Sequence, residues 1–322
     1  MLQGLRRSGA DGRVTNDAQQ ADRAGIYCKL VLTTFFWGGT FVAARFAVHE
    51  APPFFAASCR FAIAAVVLMA LVARQAQRRG EAVPVPRSLR EVLGLFFLGL
   101  TGIFCYNAFF FSGLKLTGAA NGSLIVAINP LLTAVLSAWW LRERIRPLQG
   151  AGLAVSLAGV GVIVTRGDPG VLRTLTFNHG DLLLLGAPLS WAAYSILGKR
   201  AMGTFSPLVA TAYAALSGTL LLIPAAALEA LGGAGPHHFS ILGWVAILQL
   251  ALLGTVAGFV WWYEGVQALG ASRAALFVNL VPLFGTLLAA LLLGERLGWP
   301  QLWGGMLVIA GVCGGTVRLK TG

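Results

Sequence analysis

The sequence predicts an all-α integral membrane protein: ten transmembrane helices arranged as two inverted repeats of five. Composition, the spacing of the apolar stretches and an internal repeat carry the prediction. Of 322 residues, 57% are hydrophobic and 11% charged, and the mean hydropathy is +0.76, more apolar than a soluble core requires. A hydrocarbon layer about 30 Å thick asks for roughly 20 apolar residues per helical crossing, and the chain supplies such stretches repeatedly. Barrel strands would alternate polar and apolar residues. Runs such as Leu131–Leu141 show no such alternation, so helices that satisfy their own backbone groups remain.

In chain order, residues 1–26 scatter Arg6, Arg7 and Arg13 with Asp11, Asp17 and Asp22 among Gly, Gln and Asn. They read as a mobile cytosolic tail with no signal-peptide core. The first repeat, residues 27–165, holds spans at Leu30–Ala47, Phe54–Ala73, Val92–Gly113, Ala119–Leu141 and Leu148–Thr165. A linker at 166–179 leads to the second repeat, residues 180–318. Its spans are Leu182–Gly198, Pro207–Leu228, Ile241–Tyr263, Ala274–Gly294 and Leu302–Val317, and residues 319–322 form a short tail. Small residues recur at four-residue spacing in the first span (Gly39, Ala43, Ala47), the fifth (Gly152, Ser156) and the tenth (Gly311, Gly315), which permits close backbone approach. The first stripe is expected inside the bundle. The other two suit either outer-helix packing or a dimer, so the oligomeric state stays open.

A net charge of +12 raises nucleic acid as a partner, and the placement of the basic residues argues against it. With the N-terminus cytosolic, 18 of the 24 Lys and Arg residues fall on the inside: in the tail, between Arg74 and Arg90, between Arg142 and Arg146, at Lys199 and Arg200, at Arg273, and at Arg318 and Lys320. Five (Arg45, Lys115, Arg166, Arg173, Arg296) fall outside, and Arg60 lies within a span. This is the positive-inside rule. It places both termini in the cytosol, the chain in the cell (inner/cytoplasmic) membrane as a multi-pass protein, and the lipid bilayer as partner. Cys28, Cys59, Cys105 and Cys313 have no metal-ligand spacing and are expected to act as small core hydrophobes.

Displacing the first half by 152 positions lays 17 residues between Gly113 and Val160 on identical ones between Gly265 and Val312, among them Pro130 on Pro282 and Glu143 on Glu295. Upstream, a displacement of 154 pairs Trp37 with Trp191 and Pro53 with Pro207. Because each copy has five spans, an odd number, the second enters the membrane from the other side. Inverted repeats give a transporter two near-equivalent states, each open to one side, around a midplane site.

Several of these segments also carry a family resemblance. Trp37-Gly38-Gly39-Thr40, Arg60 after Pro53, the stretch from Gly113 through Pro130 to Leu141-Arg142-Glu143-Arg144, and Gln149–Val160 resemble the EamA domain. So do Gly294-Glu295-Arg296-Leu297 and Gln301–Val312 in the second copy. The EamA domain is the five-helix repeat of the drug/metabolite transporter superfamily. The resemblance implies a secondary transporter, without cofactor or metal, for a small molecule such as an amino acid, exported by alternating access. Coupling to protons or sodium is left open. The second copy has Trp191-Ala192-Ala193-Tyr194 in place of the Trp-Gly-Gly-Thr run, and its sixth span is expected to pack less closely.

Candidate site residues follow from what a bilayer tolerates. Pro130 and Pro282 break the fourth and ninth spans near midplane and free the carbonyls of Val126 and Val278. Asn129 and Asn279 beside them either cap those carbonyls or meet substrate. Trp37 with Thr40, and Trp191 with Tyr194, share a helix face at i, i+3 spacing and are expected to wall a central cavity. Tyr106, Asn107 and Phe110 in the third span, and Thr255, Trp262 and Tyr263 in the eighth, add polar and aromatic groups, with Trp262 and Tyr263 also fitting an interfacial belt. Arg60 costs roughly 2.5–3.5 kcal/mol at a span centre, and the second repeat places Ala214 at its position, so the fold does not require a cation there; it is expected to face the central cavity and either bind an anionic group of the substrate or lock the outer gate, the alternative being snorkelling to lipid headgroups. Glu143 and Glu295 are read as structural, each pairing with its neighbouring Arg or capping the next helix. An enzyme would need clustered catalytic groups, and the four His residues (His49, His179, His237, His238) are dispersed apart from one adjacent pair. A channel would show charged rings or carbonyl filters. A scaffold or receptor would show no flux.

Overall fold

The computed structural model describes residues 7–117, 119–173, 178–232 and 239–316. Gly118, the loop with His237 and His238, and the outermost tail residues, including Arg6, Arg318 and Lys320, lie outside the described residues. Among the described residues ten long helical units follow one another, with a four-residue turn of helix at Gly170–Arg173 between the fifth and sixth: α1 (Arg7–Glu50), α2 (Pro53–Arg79), α3 (Leu89–Leu114), α4 (Ala119–Ala127 and Asn129–Trp140), α5 (Pro147–Thr165), α6 (His179–Ala201), α7 (Pro207–Leu231), α8 (Ile241–Leu269), α9 (Ala271–Val278 and Leu280–Leu293) and α10 (Trp299–Thr316). Among the described residues there is no strand, and nine of these helices are long and apolar enough to cross a membrane. The tenth, α10, runs 18 residues. The backbone of 7–26 continues α1 as helix.

The prolines act at the positions expected of them. α4 breaks at Ile128 and α9 at Asn279, two residues before Pro130 and three before Pro282. There the backbone tightens to three-residue bonds, Ile128 N–H to Ile125 O and Asn279 N–H to Leu276 O, both at 3.3 Å. Pro130 then occupies the first turn of a new segment, where its missing N–H costs nothing. A second irregularity has no signature in the sequence. α3 is π-helical over Leu100–Cys105 and α8 over Gln249–Ala257, and the repeat displacement superimposes Gly102 on Gly254 within these wide turns. π-Helical turns concentrate at functional positions.

The two repeats dock by exchange. α1 of the first packs on α8 of the second, and α6 of the second packs on α3 of the first. A Cβ added to Gly265 would stand 2.5 Å from the Leu30 side chain, and one added to Gly113 would stand 2.6 Å from Leu184; Leu30 and Leu184 are repeat equivalents. Along α1 the contacts run from Leu30 against Gly265, through Trp37 against Gly258, to Glu50 against Gly243. The two helices are therefore antiparallel, as a first and a third helix can be only if one repeat is inverted. α5 and α10 pack with the same pseudo-symmetry, Gly152 against Gly311 and Gly159 against Gly304. The small-residue stripes of the fifth and tenth spans thus face each other within one chain. A Cβ added to Gly39 would lie 3.2 Å from the Gln249 side chain of α8, and Ala43 is buried, which puts these two residues of the first stripe inside the bundle.

Three expectations are corrected here. α6 is not loosely packed: 61% of its apolar window is buried, against 39% for α1, because the closely approaching glycines lie on its partner, at Gly102 and Gly113. Trp262 and Tyr263 are no interfacial belt, since both are fully buried in the bundle. The cysteines are not core hydrophobes; Cys28 and Cys313 are exposed and Cys59 and Cys105 only half-buried.

Most ends of the bundle are tied by carboxylates reaching across the repeat boundary. On the face bearing most of the basic residues, called the basic face, Glu143 accepts from Ala271 N–H (3.0 Å), Ser272 N–H (3.0 Å) and Ser272 Oγ (2.6 Å). Glu143 therefore caps α9 of the other repeat and not the helix that follows it in sequence. Lys199 Nζ donates to the carbonyls of Val266 (2.9 Å) and Gln267 (2.7 Å), and Lys29 pairs with Glu264 at 2.6 Å. On the opposite face, Glu50 takes Ser240 N–H at 2.7 Å and Ser240 Oγ at 2.6 Å. Glu229 takes Phe54 N–H at 2.9 Å and Phe55 N–H at 3.2 Å. Asp181 accepts from Thr117 Oγ1 and from Asn121 Nδ2.

Candidate substrate site

The centre of the bundle is built from the first and third helices of each repeat. Trp37 Nε1 donates to Gly254 O (2.9 Å) in the π-helical turn of α8, and Thr40 Oγ1 donates back to Trp37 O (2.6 Å). The equivalent pair on α6 meets the π-helical turn of α3: the Tyr194 ring lies 2.3 Å from where a Gly102 Cβ would stand. Trp191 packs edge-on to Tyr106 at 5.9 Å. Trp37 and Trp191 meet each other edge-on at 5.1 Å, and Trp262 lies 5.6 Å from one and 5.7 Å from the other. Phe259, which sequence reasoning missed, contacts Trp37, Trp191, Tyr194 and Phe61. Tyr263 stacks on Tyr194 at 4.7 Å and donates its hydroxyl to Tyr194 O at 3.2 Å. Tyr194, Trp262 and Tyr263 have no exposure, and together they seal the centre on its basic side. Trp37, Arg60, Tyr106 and Phe110 keep partial exposure.

Arg60 sits on the partly exposed side. Its Nε donates to Thr255 Oγ1 at 2.9 Å, and its guanidinium carbon lies 4.6 Å from the Phe61 ring centroid. The Thr255 hydroxyl in turn donates to Leu250 O five residues back, at 3.0 Å, a bond the π-helical turn makes available. Thr255 is fully buried. Tyr106 is close enough to interact with the Arg60 charge, and it stacks nearly parallel on Phe110 at 6.0 Å. Phe111 and Phe54 continue the aromatic row at 5.6 and 5.7 Å.

The remaining candidates serve elsewhere. Asn107 donates to Ile103 O at 2.7 Å within its own helix. Asn129 accepts from Thr133 Oγ1 at 3.1 Å. Asn279 donates to Ser156 Oγ at 2.6 Å, tying α9 to α5. The Asn129 and Asn279 amides thus bind the side chains of Thr133 and Ser156 and not the carbonyls freed by Pro130 and Pro282. Glu295 closes α9 at the place where Glu143 closes α4. Gly102 and Gly254 escaped sequence reasoning because they lie upstream of the well-matched stretch; extending the same displacement eleven residues toward the N-terminus finds them. Among the described residues, no group of three His, Cys, Asp or Glu could hold a metal.

The EamA-like transporter family model matches this chain twice, over residues 25–165 and 178–316, the two repeats described above. The chain belongs to the EamA-like transporter family. This EamA-like transporter is 33% identical over 296 residues to an uncharacterised transporter, YyaM, of Bacillus subtilis (strain 168), covering 91% of this chain and 95% of that protein. It is 30% identical over 290 residues to a probable amino-acid metabolite efflux pump of Salmonella typhimurium, covering 88% and 91%. A crystal structure superposes on it with a TM-score of 0.75 at 22% identity, over 91% of this chain and 96% of the other, which shows a shared fold. The family and its relatives thus indicate a multi-pass membrane transporter of the drug/metabolite superfamily, with a small-molecule substrate and a lipid surround.

Proposed function

We propose that this transporter is a secondary active exporter of a small metabolite, an amino acid or close analogue, working by alternating access. The reading rests on the reciprocal docking of first helix on third helix, Leu30 on Gly265 and Leu184 on Gly113. The same joint is built twice, in opposite orientations, so opening one and closing the other exchanges the accessible side while the bundle stays intact. The buried plug of Tyr194, Trp262 and Tyr263 closes the basic side in this state. Glu143 and Lys199 gripping the α8–α9 elbow hold that side shut, and Trp37, Thr40, Arg60, Tyr106 and Phe110 line the accessible side. Both termini and the 80–88 loop are cytosolic in this reading, so the state described faces outward. The efflux-pump relative supports an amino acid as cargo and export as direction.

Counterflow in proteoliposomes tests it, with pooled amino acids, sugars, nucleosides and cationic drugs, with and without proton or sodium gradients. Saturable exchange of at least one amino acid is expected. Non-saturable leak, or no exchange of any pool, ends the reading. Orientation is checked with Arg79→Cys: a membrane-impermeant thiol reagent is expected to leave it unmodified in intact cells.

A further inference from the structure

We infer that Arg60 is a carboxylate-reading fork, held edge-on by Thr255 and receiving a small monocarboxylate that carries an apolar group. The inference rests on the transporter reading for its location and sharpens the substrate class.

A guanidinium offers five N–H donors in a rigid plane. Here one is used: Nε–H bonds Thr255 Oγ1 at 2.9 Å. Among the described residues no carboxylate pairs with Arg60, and neither Nη has a hydrogen bond to the protein. Were Arg60 only a tie between α2 and α8, its outer donors would find carbonyls. Were it reaching for lipid headgroups, it would point off the bundle, whereas it turns inward to a fully buried threonine on another helix.

The Thr255 hydroxyl hydrogen is committed to Leu250 O, so its oxygen faces Arg60 as an acceptor. That bond and the Phe61 ring beneath fix the plane of the guanidinium. With Nε engaged, the Nη1–Nη2 edge, which can take both oxygens of a carboxylate in parallel, is left unfilled by the described residues. On the α8 side Gly254 adds no side chain beside it; a Cβ there would lie 3.7 Å from Nη2.

The repeat equivalents of Arg60 and Thr255 are Ala214, in the second repeat, and Ile103, in the first, and both are fully buried. The pair is therefore an addition to the fold and not part of it. The row of Tyr106, Phe110, Phe111 and Phe54 beside the fork supplies an apolar wall, which suits a ligand with one charged end and a hydrophobic body.

The test measures binding, so it does not depend on flux. Thermal unfolding of the purified full-length protein in detergent is followed while leucine, methionine and phenylalanine, their primary amides, and the deaminated acids 4-methylpentanoate and 3-phenylpropanoate are titrated. At least one acid is expected to raise the melting temperature, at a half-saturating concentration about tenfold or more below that of its amide, since the amide keeps shape and loses charge. Arg60→Gln should erase the acid–amide difference. Arg60→Lys should keep a weaker one, and Thr255→Val, with the cation retained, should weaken acid binding. Unliganded melting temperatures identify any variant that is merely misfolded. Equal binding of acids and amides, an acid preference that survives Arg60→Gln, or no binding by any acid overturns the inference. Counterflow on the same protein separates the two readings: flux blind to the carboxylate removes the fork and leaves the transporter, whereas Arg60-dependent acid binding without flux removes the transporter and leaves the fork.

Discussion

The seam between α2 and α8 and the seam between α7 and α3 are built from equivalent parts and have opposite characters. In the first, Arg60 reaches Thr255 and stays partly exposed. In the second, Gly218 lies against Ile103, Ala214 and Ala215 are fully buried, and the Tyr194 ring fills the space over Gly102. One backbone arrangement thus supports a charged, accessible seam and a dry, packed one. The same joint occurs twice, and side chains make one copy charged and accessible and the other dry and packed. The same division appears in the tryptophans. Trp37 Nε1 bonds Gly254 O, whereas its equivalent, Trp191 Nε1, is buried without a partner.

The largest effect is expected from forcing the packed seam to imitate the charged one. Ala214→Arg buries an unpaired cation against α3 and should cost about 3–5 kcal/mol or more, measured as loss of folded, monodisperse protein after extraction. A smaller effect separates the two π-helical glycines. Gly102→Ala drives a methyl into the buried Tyr194 ring, 2.3 Å from the ideal Cβ, whereas Gly254→Ala meets the Thr40 methyl at 2.9 Å. Overpacking should destabilise the first by about 2–3 kcal/mol and the second by about 1 kcal/mol, read from denaturant unfolding in micelles. The smallest contrast is Trp37→Phe against Trp191→Phe. The first breaks a hydrogen bond and the second removes an orphaned donor, so Trp191→Phe should be milder by about 1 kcal/mol. Equal costs would mean that the seams differ less than their contacts indicate.

Much of this was legible in the sequence, because depth in a bilayer is written in composition. The spans, the repeat, the breaks before Pro130 and Pro282 and the second-repeat counterpart of Arg60 all follow from one-dimensional pattern. What pattern lacks is azimuth, the direction each helix face turns. Trp262 and Tyr263 suggested an interface from their place near a span end, and contacts from α1 and α6 bury them instead. Glu143 was expected to act locally and acts on a helix 128 residues away. The tightness of α6 was hidden because the glycines that permit it belong to α3. The π-helical turns left no trace, since the choice between bonding four or five residues back is made by neighbours such as Trp37 and Arg60.

Those turns have a mechanical meaning. A stretch bonded five residues back carries slack relative to an α-helix, and α3 and α8 carry it at matching depth. Drawing one such turn back to four-residue bonding rotates everything beyond it by about 100° for each residue taken up. The helix neither unwinds nor loses a backbone hydrogen bond. In α8 that rotation would swing Thr255 off Arg60 and withdraw Gly254 O from Trp37 in a single movement. A joint of this kind would work as a clutch, turning the segment beyond it, and with it the side chains that meet Trp37 and Arg60, by a change of register.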